Sequence, residues 1–236
     1  MIPKTSIRRQ ILFIFLSSVT AEATPPPKKS DHEIRGKQSP QITEKVPPDS
    51  TRQLRELQKQ LSSFEHLTVE FRQLTYRSLR KKTSVSTGVA YFSKPDLFRW
   101  TIRSPEQSEW IFDGKILSQV IPGSQGKPEI LSYGKGGDKG KELLRIVDLV
   151  LNFDTLLREF RADTKFFSDH AEVSLTPLSA RDKQNMLRNL LIIDLKNNYV
   201  RELKMEFNNG NHTTLQFTHP KRTAISHNIY RLPGSL

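Results

Sequence analysis

The chain has no cysteine at all. That excludes disulfides, a thiolate nucleophile and a zinc–thiolate site. It also excludes a lipid-anchored lipoprotein, because that class is acylated on a cysteine at the signal cleavage point. Long apolar runs are scarce too. The run over residues 11–19 is too short to span a bilayer, and no later segment is more apolar.

Catalytic signatures are equally thin. A phosphate-binding loop needs a glycine five residues ahead of a Gly-Lys pair and a Ser or Thr after it. Ahead of Gly140-Lys141 that place holds Lys135, and Glu142 follows. Gly134 and Gly136 open a dinucleotide-type pattern that fails at Lys139, so residues 134–140 read as a surface loop. Ser132-Tyr133-Gly134-Lys135 and Ser78-Leu79-Arg80-Lys81 match Ser-x-x-Lys without the Lys-Thr-Gly or Ser-Asp-Asn partners that give it meaning. His32, His66, His170, His212, His219 and His227 show no metal-ligand spacing, and His212 and His219 are expected at the surface. Neither Glu106 nor Asp113 has a feature marking it as an acid catalyst. Nothing here calls for an enzyme, a cofactor or a metal.

What is present begins with an export pattern. Lys4, Arg8 and Arg9 precede the apolar run, and Ala21-Glu22-Ala23 supplies small residues for cleavage near Ala23. Residues 1–23 are therefore expected to be a secretory signal peptide and the remainder exported. The formal charge is +12. Without residues 1–23, which hold three basic residues and one acidic, it is +10. A basic surface suits solubility, anionic headgroups or an acidic partner. Export argues against nucleic acid. The cations are scattered apart from Arg80-Lys81-Lys82. Residues 24–50 run from Thr24-Pro25-Pro26-Pro27-Lys28-Lys29 to Pro47-Pro48 with almost nothing apolar, and read as a disordered Pro/Lys-rich linker. Residues 51–236 then suit one domain.

Periodicity organises that domain. Leu54, Leu57 and Leu61 follow a helical period after a cap at Asp49 or Ser50. Leu67, Val69, Phe71 and Gln73 alternate as a strand with one apolar face. Strands are expected over 85–93, with a bend or bulge at Gly88, and then over 98–103, 110–112, 116–121 and 129–133. A second helix is expected over 142–152, while 156–160 fits helix or strand equally. Further strands follow over 172–176, 190–195, 200–207 and 213–218, with Asn208-Asn209-Gly210 as the last hairpin turn. Many sequential antiparallel strands interrupted by two helices predict a mainly β (α+β) fold, a strongly curved sheet or partly closed barrel able to hold a ligand cavity. Phe98 and Trp100 share a strand face just after Lys94-Pro95. One cation and two large rings are thus expected at one sheet edge, as an entrance to an apolar cavity.

The ordered series resembles the periplasmic outer-membrane lipoprotein carrier family, the LolA-like proteins. The likeness runs over about residues 52–220. Its parts are Leu67-Thr68-Val69-Glu70-Phe71-Arg72-Gln73; the Gly88 strand leading into Lys94-Pro95-Asp96-Leu97-Phe98-Arg99-Trp100; Pro105-Glu106 with Trp110-Ile111-Phe112-Asp113-Gly114-Lys115; and the closing strands from Val173 to Phe217. The resemblance implies an incomplete antiparallel β-barrel with α-helices covering its open mouth. It implies a monomeric periplasmic chaperone that takes acylated lipoproteins from an inner-membrane lipoprotein-releasing ABC transporter to an outer-membrane receptor. No chemistry is needed for that task. One acyl chain of about 15 methylenes costs on the order of 10 kcal/mol in water, so a carrier must hide it. By resemblance, Phe98 stands at the cavity mouth and Val69, Phe71, Trp100 and Phe112 line the cavity, with plain core packing as the alternative for each. Lys94 takes the place of an arginine that, in the family, holds lid-helix carbonyls. Lysine lacks the planar fork, which predicts a looser lid. Two other readings keep the fold: a carrier of another lipid, such as a glycolipid or phospholipid, and a non-lipid envelope-stress interaction protein whose cavity is filled by side chains.

Overall fold

A computed structural model of the chain describes residues 48–61, 63–134, 146–147, 149–150 and 157–233. The expected signal peptide, residues 24–47 of the linker and most of the loop and helix expected over 134–152 lie outside these residues. Two units are distinguished, residues 1–53 and 54–236. Of the first, the described part is the start of helix α1 (Pro48–Leu61), which begins two residues ahead of Ser50.

Among the described residues, the second unit is an eleven-stranded sheet that does not close. The strands are β1 (His66–Arg77), β2 (Lys82–Ser93), β3 (Leu97–Ser104), β4 (Ser108–Phe112), β5 (Ile116–Ile121), β6 (Glu129–Gly134), β7 (Phe160–Phe166), β8 (His170–Pro177), β9 (Met186–Asp194), β10 (Tyr199–Phe207) and β11 (His212–Lys221). Their order across the sheet is β6-β5-β4-β3-β2-β1-β11-β10-β9-β8-β7, every neighbouring pair antiparallel. Two meanders thus meet where the first strand pairs with the last. β6 and β7 are the free edges, and the chain between them is the stretch expected to carry the second helix. Ile146, Val147, Leu149 and Val150 from that stretch are helical and buried. Leu57 and Leu61 of α1 are buried too. A short helix α2 (Ala180–Asn185), capped by Ser179 Oγ accepting from the Asp182 N–H, links β8 to β9.

Alternation explains the layering. Residues on one face of the central strands are almost all buried: Leu67, Val69, Phe71, Gln73 and Thr75 on β1; Leu191 and Ile193 on β9; Ala171, Val173 and Leu175 on β8. We call this the inner face. Cross-strand register carries it through the molecule, as in Phe98↔Phe112, Trp100↔Trp110, Ala90↔Trp100, Val69↔Ala90, Phe71↔Phe217 and Leu203↔Leu191. A smaller cluster forms on the other, outer face. There Ile111, Val120 and Tyr230 pack with Tyr91, Leu97, Ile225, Ile229 and Leu232, so residues 225–232 lie across β2–β5.

The β2–β3 corner corrects one expectation. Phe98 and Trp100 do share a face and do follow Lys94 directly, but β2 and β3 lie inside the strand order, not at its edge. The unbroken β1–β2 ladder from His66↔Ser93 to Arg77↔Lys82 explains this, since it puts β1 and then β11 outside β2.

Candidate functional site

All five residues expected to line a cavity stand on the inner face. Val69 and Phe71 come from β1, Phe98 and Trp100 from β3, and Phe112 from β4. Each is buried, Phe98 and Phe112 completely. Trp100 is the hub. Its ring stacks on Phe71 with centroids 4.1 Å apart, and meets Phe217 and Phe92 edge-on at 6.2 and 6.5 Å. Phe98 stacks on Phe112 at 5.9 Å, one strand pair further along. Trp110 stacks on Tyr133 at 5.8 Å, and burial lifts the Tyr133 phenol above its ordinary pKa.

Gly88 makes the hub possible. It is the direct partner of Phe71, and the β2–β3 register shifts at Thr87/Gly88, as expected of a bulge. A Cβ there would stand 2.7 Å from the Phe71 ring and 1.9 Å from the Thr101 carbonyl oxygen. The bare glycine lets the Phe71 ring lie flat beside Trp100.

Lys94 is close to the sheet end but apart from this aromatic row. Its N–H donates to the Glu65 carbonyl at 2.9 Å, and its ammonium lies 5.7 Å from the centre of the Phe64 ring. Arg222 stands 5.4 Å from the same ring, and its guanidinium also donates to the Asn197 and Asn198 carbonyls. Phe64 follows α1 in the chain, so Lys94 reaches the connection between α1 and β1.

The inner face is not uniform. Toward the β1–β2 turn it becomes polar: Gln73, Thr75, Ser86 and Asn189 are all buried there. Asn189 has no solvent exposure, and among the described residues neither its amide oxygen nor its nitrogen has a hydrogen-bond partner; Ser86 Oγ has none there either. Such orphaned groups are rare in folded proteins. Sequence reading missed them, although Asn189 is in phase with Leu191 and Ile193 along β9 and was open to detection on that ground. A separate cleft of about 390 Å³ opens near the β3–β4 and β5–β6 turns, walled by Ile102, Arg103, Ser108, Val120, Pro122 and Gly123 among others, and holds none of the five. Among the described residues, no three His, Asp or Glu side chains are grouped to hold a metal.

The sequence model of the outer membrane lipoprotein carrier protein LolA matches residues 62–123. That span holds β1 to β5 and with them Val69, Phe71, Lys94, Phe98, Trp100 and Phe112. Over that span the chain is LolA-like. No curated protein matches it. Among solved structures, a DUF1329 family protein from Desulfovibrio piger is similar at 10% identity and a TM-score of 0.45, over 78% of this chain and 97% of that one. LolA superfamily protein NE2245 from Nitrosomonas europaea gives 11% and 0.40, over 76% and 97%. MucB gives 14% and 0.44, over 80% and 64%. Among the described residues the sheet is antiparallel throughout and unclosed, as the resemblance implied.

Proposed function

We propose that this LolA-like protein is a periplasmic chaperone that shelters the acyl chains of lipoproteins and carries them from an inner-membrane ABC transporter to the outer membrane. The observation that supports this best is the inner face itself. It carries a buried apolar row across an unclosed sheet, and its Val69, Phe71, Phe98, Trp100 and Phe112 lie on strands that the family's sequence model matches. In this reading Val69, Phe71, Trp100 and Phe112 line the acyl site, Phe98 marks its entrance, and Lys94 restrains its cover. Such a protein binds and releases without catalysis, meets its lipoproteins and transporter as a monomer, and hands cargo to an outer-membrane receptor where one is present.

One observation favours a second reading, an envelope interaction protein on the same fold. Trp100 already stacks on Phe71, and Phe98 on Phe112, so these rings cover part of one another's surfaces. In that reading side chains, not lipid, occupy the inner face.

The test is a release assay. Residues 24–236 are added to spheroplasts making labelled lipoproteins, and soluble complexes are sought. The carrier reading expects lipoproteins in the supernatant with this chain. Binding of a phospholipid or apolar dye without release moves the reading to another lipid. Neither release nor binding rules out lipid carriage and leaves the interaction protein. Phe98→Glu is a poor probe here, because it would put a carboxylate into a site without water.

A further inference from the structure

The far end of the sheet carries a feature unrelated to the inner face. From Arg77 to Lys82 the β1–β2 turn reads Arg-Ser-Leu-Arg-Lys-Lys, with four cations and no acid. Leu79 at its tip is 100% exposed. One exposed leucine is ordinary. One held rigidly at the point of a cationic turn is not.

The rigidity has several sources. Ser78–Arg80 forms a single 3-10 turn, closed by Lys81 in the left-handed region (φ 47°) with its N–H on the Ser78 carbonyl at 3.1 Å. Ser78 Oγ donates to the Asn209 carbonyl at 2.6 Å, and the Ser78 N–H to Asn211 Oδ1 at 2.9 Å. Those residues form the β10–β11 turn. Asn208 in turn donates from its side chain to the Lys183 and Gln184 carbonyls of α2, at 2.6 and 3.0 Å. Three connections are thus laced into one platform. Leu178 and Leu187, on either side of α2, are both more than half exposed.

Charge on this platform is one-sided. Asp182 is engaged by Ser179 Oγ, and Glu206 by Arg188 and Lys204. Arg80, Lys81 and Lys82 form no ion pair among the described residues. Partial burial, together with the neighbouring Arg80 guanidinium, pulls the Arg77 pKa below its ordinary value.

We propose that the β1–β2 tip docks on an anionic lipid surface, with Leu79 entering the acyl boundary and Arg80, Lys81 and Lys82 meeting headgroup phosphates. A lone projecting side chain with a cationic collar matches the interface of a bilayer, where apolar insertion and headgroup attraction add. A protein partner would need a broad complementary patch of about 800 Å² on each side, far more than one turn offers. The proposal stands whatever the inner face holds.

The test uses the full purified chain and vesicles of phosphatidylcholine with or without phosphatidylglycerol, in a sedimentation assay. Binding is expected only with phosphatidylglycerol and is expected to weaken as salt rises. Leu79→Ser should weaken it about tenfold, and Arg80→Ser or Lys82→Ser about fivefold each. Leu79→Trp should add fluorescence that shifts to the blue on binding, above the constant signal of buried Trp100 and Trp110. All three positions are exposed, so unchanged melting curves confirm the fold of each variant. Failure to bind phosphatidylglycerol vesicles overturns the proposal and directs the tip to an acidic protein. Binding that Leu79→Ser and the charge variants leave unchanged overturns it as well.

Discussion

Gly88 shows how much a single residue decides in this sheet. Its missing side chain is the space in which the Phe71 ring stacks on Trp100, and the Thr101 carbonyl closes in from the neighbouring strand. Gly88→Ala must push either a ring or a backbone carbonyl. Neither gives cheaply in a close-packed interior, so we expect a loss of about 3 kcal/mol. A urea titration reads this as a lower midpoint at an unchanged slope. A midpoint within error of the wild type would mean that Phe71 rotates away without cost and that the aromatic hub is loose. Sequence alone marked Gly88 as a bend or bulge, because glycine inside a strand pattern has few other reasons to be there. It did not mark the ring above it, since the strand pairing that sets Phe71 opposite Gly88 is a property of the whole sheet.

Strands with an apolar phase were legible at the level of elements. β5 stands where the Asp113-Gly114 turn placed it, and β1, β10 and β11 stand where expected but a little longer at the ends, where ladder bonds extend the pairing. β7 was read as ambiguous at its start and was otherwise missed. Its Arg161, Asp163 and Lys165 carry no strand signal, and β8 holds it in place through pairing over its full length. Residues 225–232 were missed for a similar reason: their few apolar side chains acquire meaning only on the outer face of β2–β5. That segment is fastened at two points. The Tyr230 hydroxyl lies 2.7 Å from Ser93 Oγ, which also meets His66 Nδ1 at 2.7 Å, and Arg99 donates to the Ile229 carbonyl at 2.9 Å while paired with Glu109. Burial raises the Tyr230 pKa, against a smaller lowering by the Ser93 hydrogen bond. The folded state therefore holds the phenol proton more tightly than the unfolded chain does. Its contribution is complete below the usual tyrosine range and is lost as pH rises through the raised folded value. We expect trypsin to cut after Arg222 faster above about pH 10 than at neutral pH. Tyr230→Phe should raise the neutral rate modestly, for about 1 kcal/mol of lost hydrogen bonding, and remove the alkaline step. An alkaline step that survives in Tyr230→Phe would assign it to another group.

The molecule as a whole sets an apolar inner face against a polar end in which Asn189 and Ser86 have no side-chain partner among the described residues. Asn189 lies between Met205 and Leu175 in the ladder, closed to solvent and, among the described residues, without a partner for either amide atom. In the unfolded chain both atoms are hydrated, so folding leaves them worse off by about 1–3 kcal/mol. Leucine has a similar size and nothing to lose, and Asn189→Leu should raise stability by about 1–2 kcal/mol, seen as a higher Tm. If the inner face carries an acylated ligand, the ester or amide near the head of each chain is the group that would satisfy Asn189, and the stabilised variant should retain less ligand through purification. That combination, more stable yet poorer at holding cargo, is expected where a binding site keeps polar groups that packing alone would discard. In an interaction protein with a filled interior, the same variant gains stability and loses nothing. Asn189→Ala separates the two effects: it removes the amide but leaves a void, so any loss of cargo it shares with Asn189→Leu belongs to the hydrogen bonds and not to altered shape.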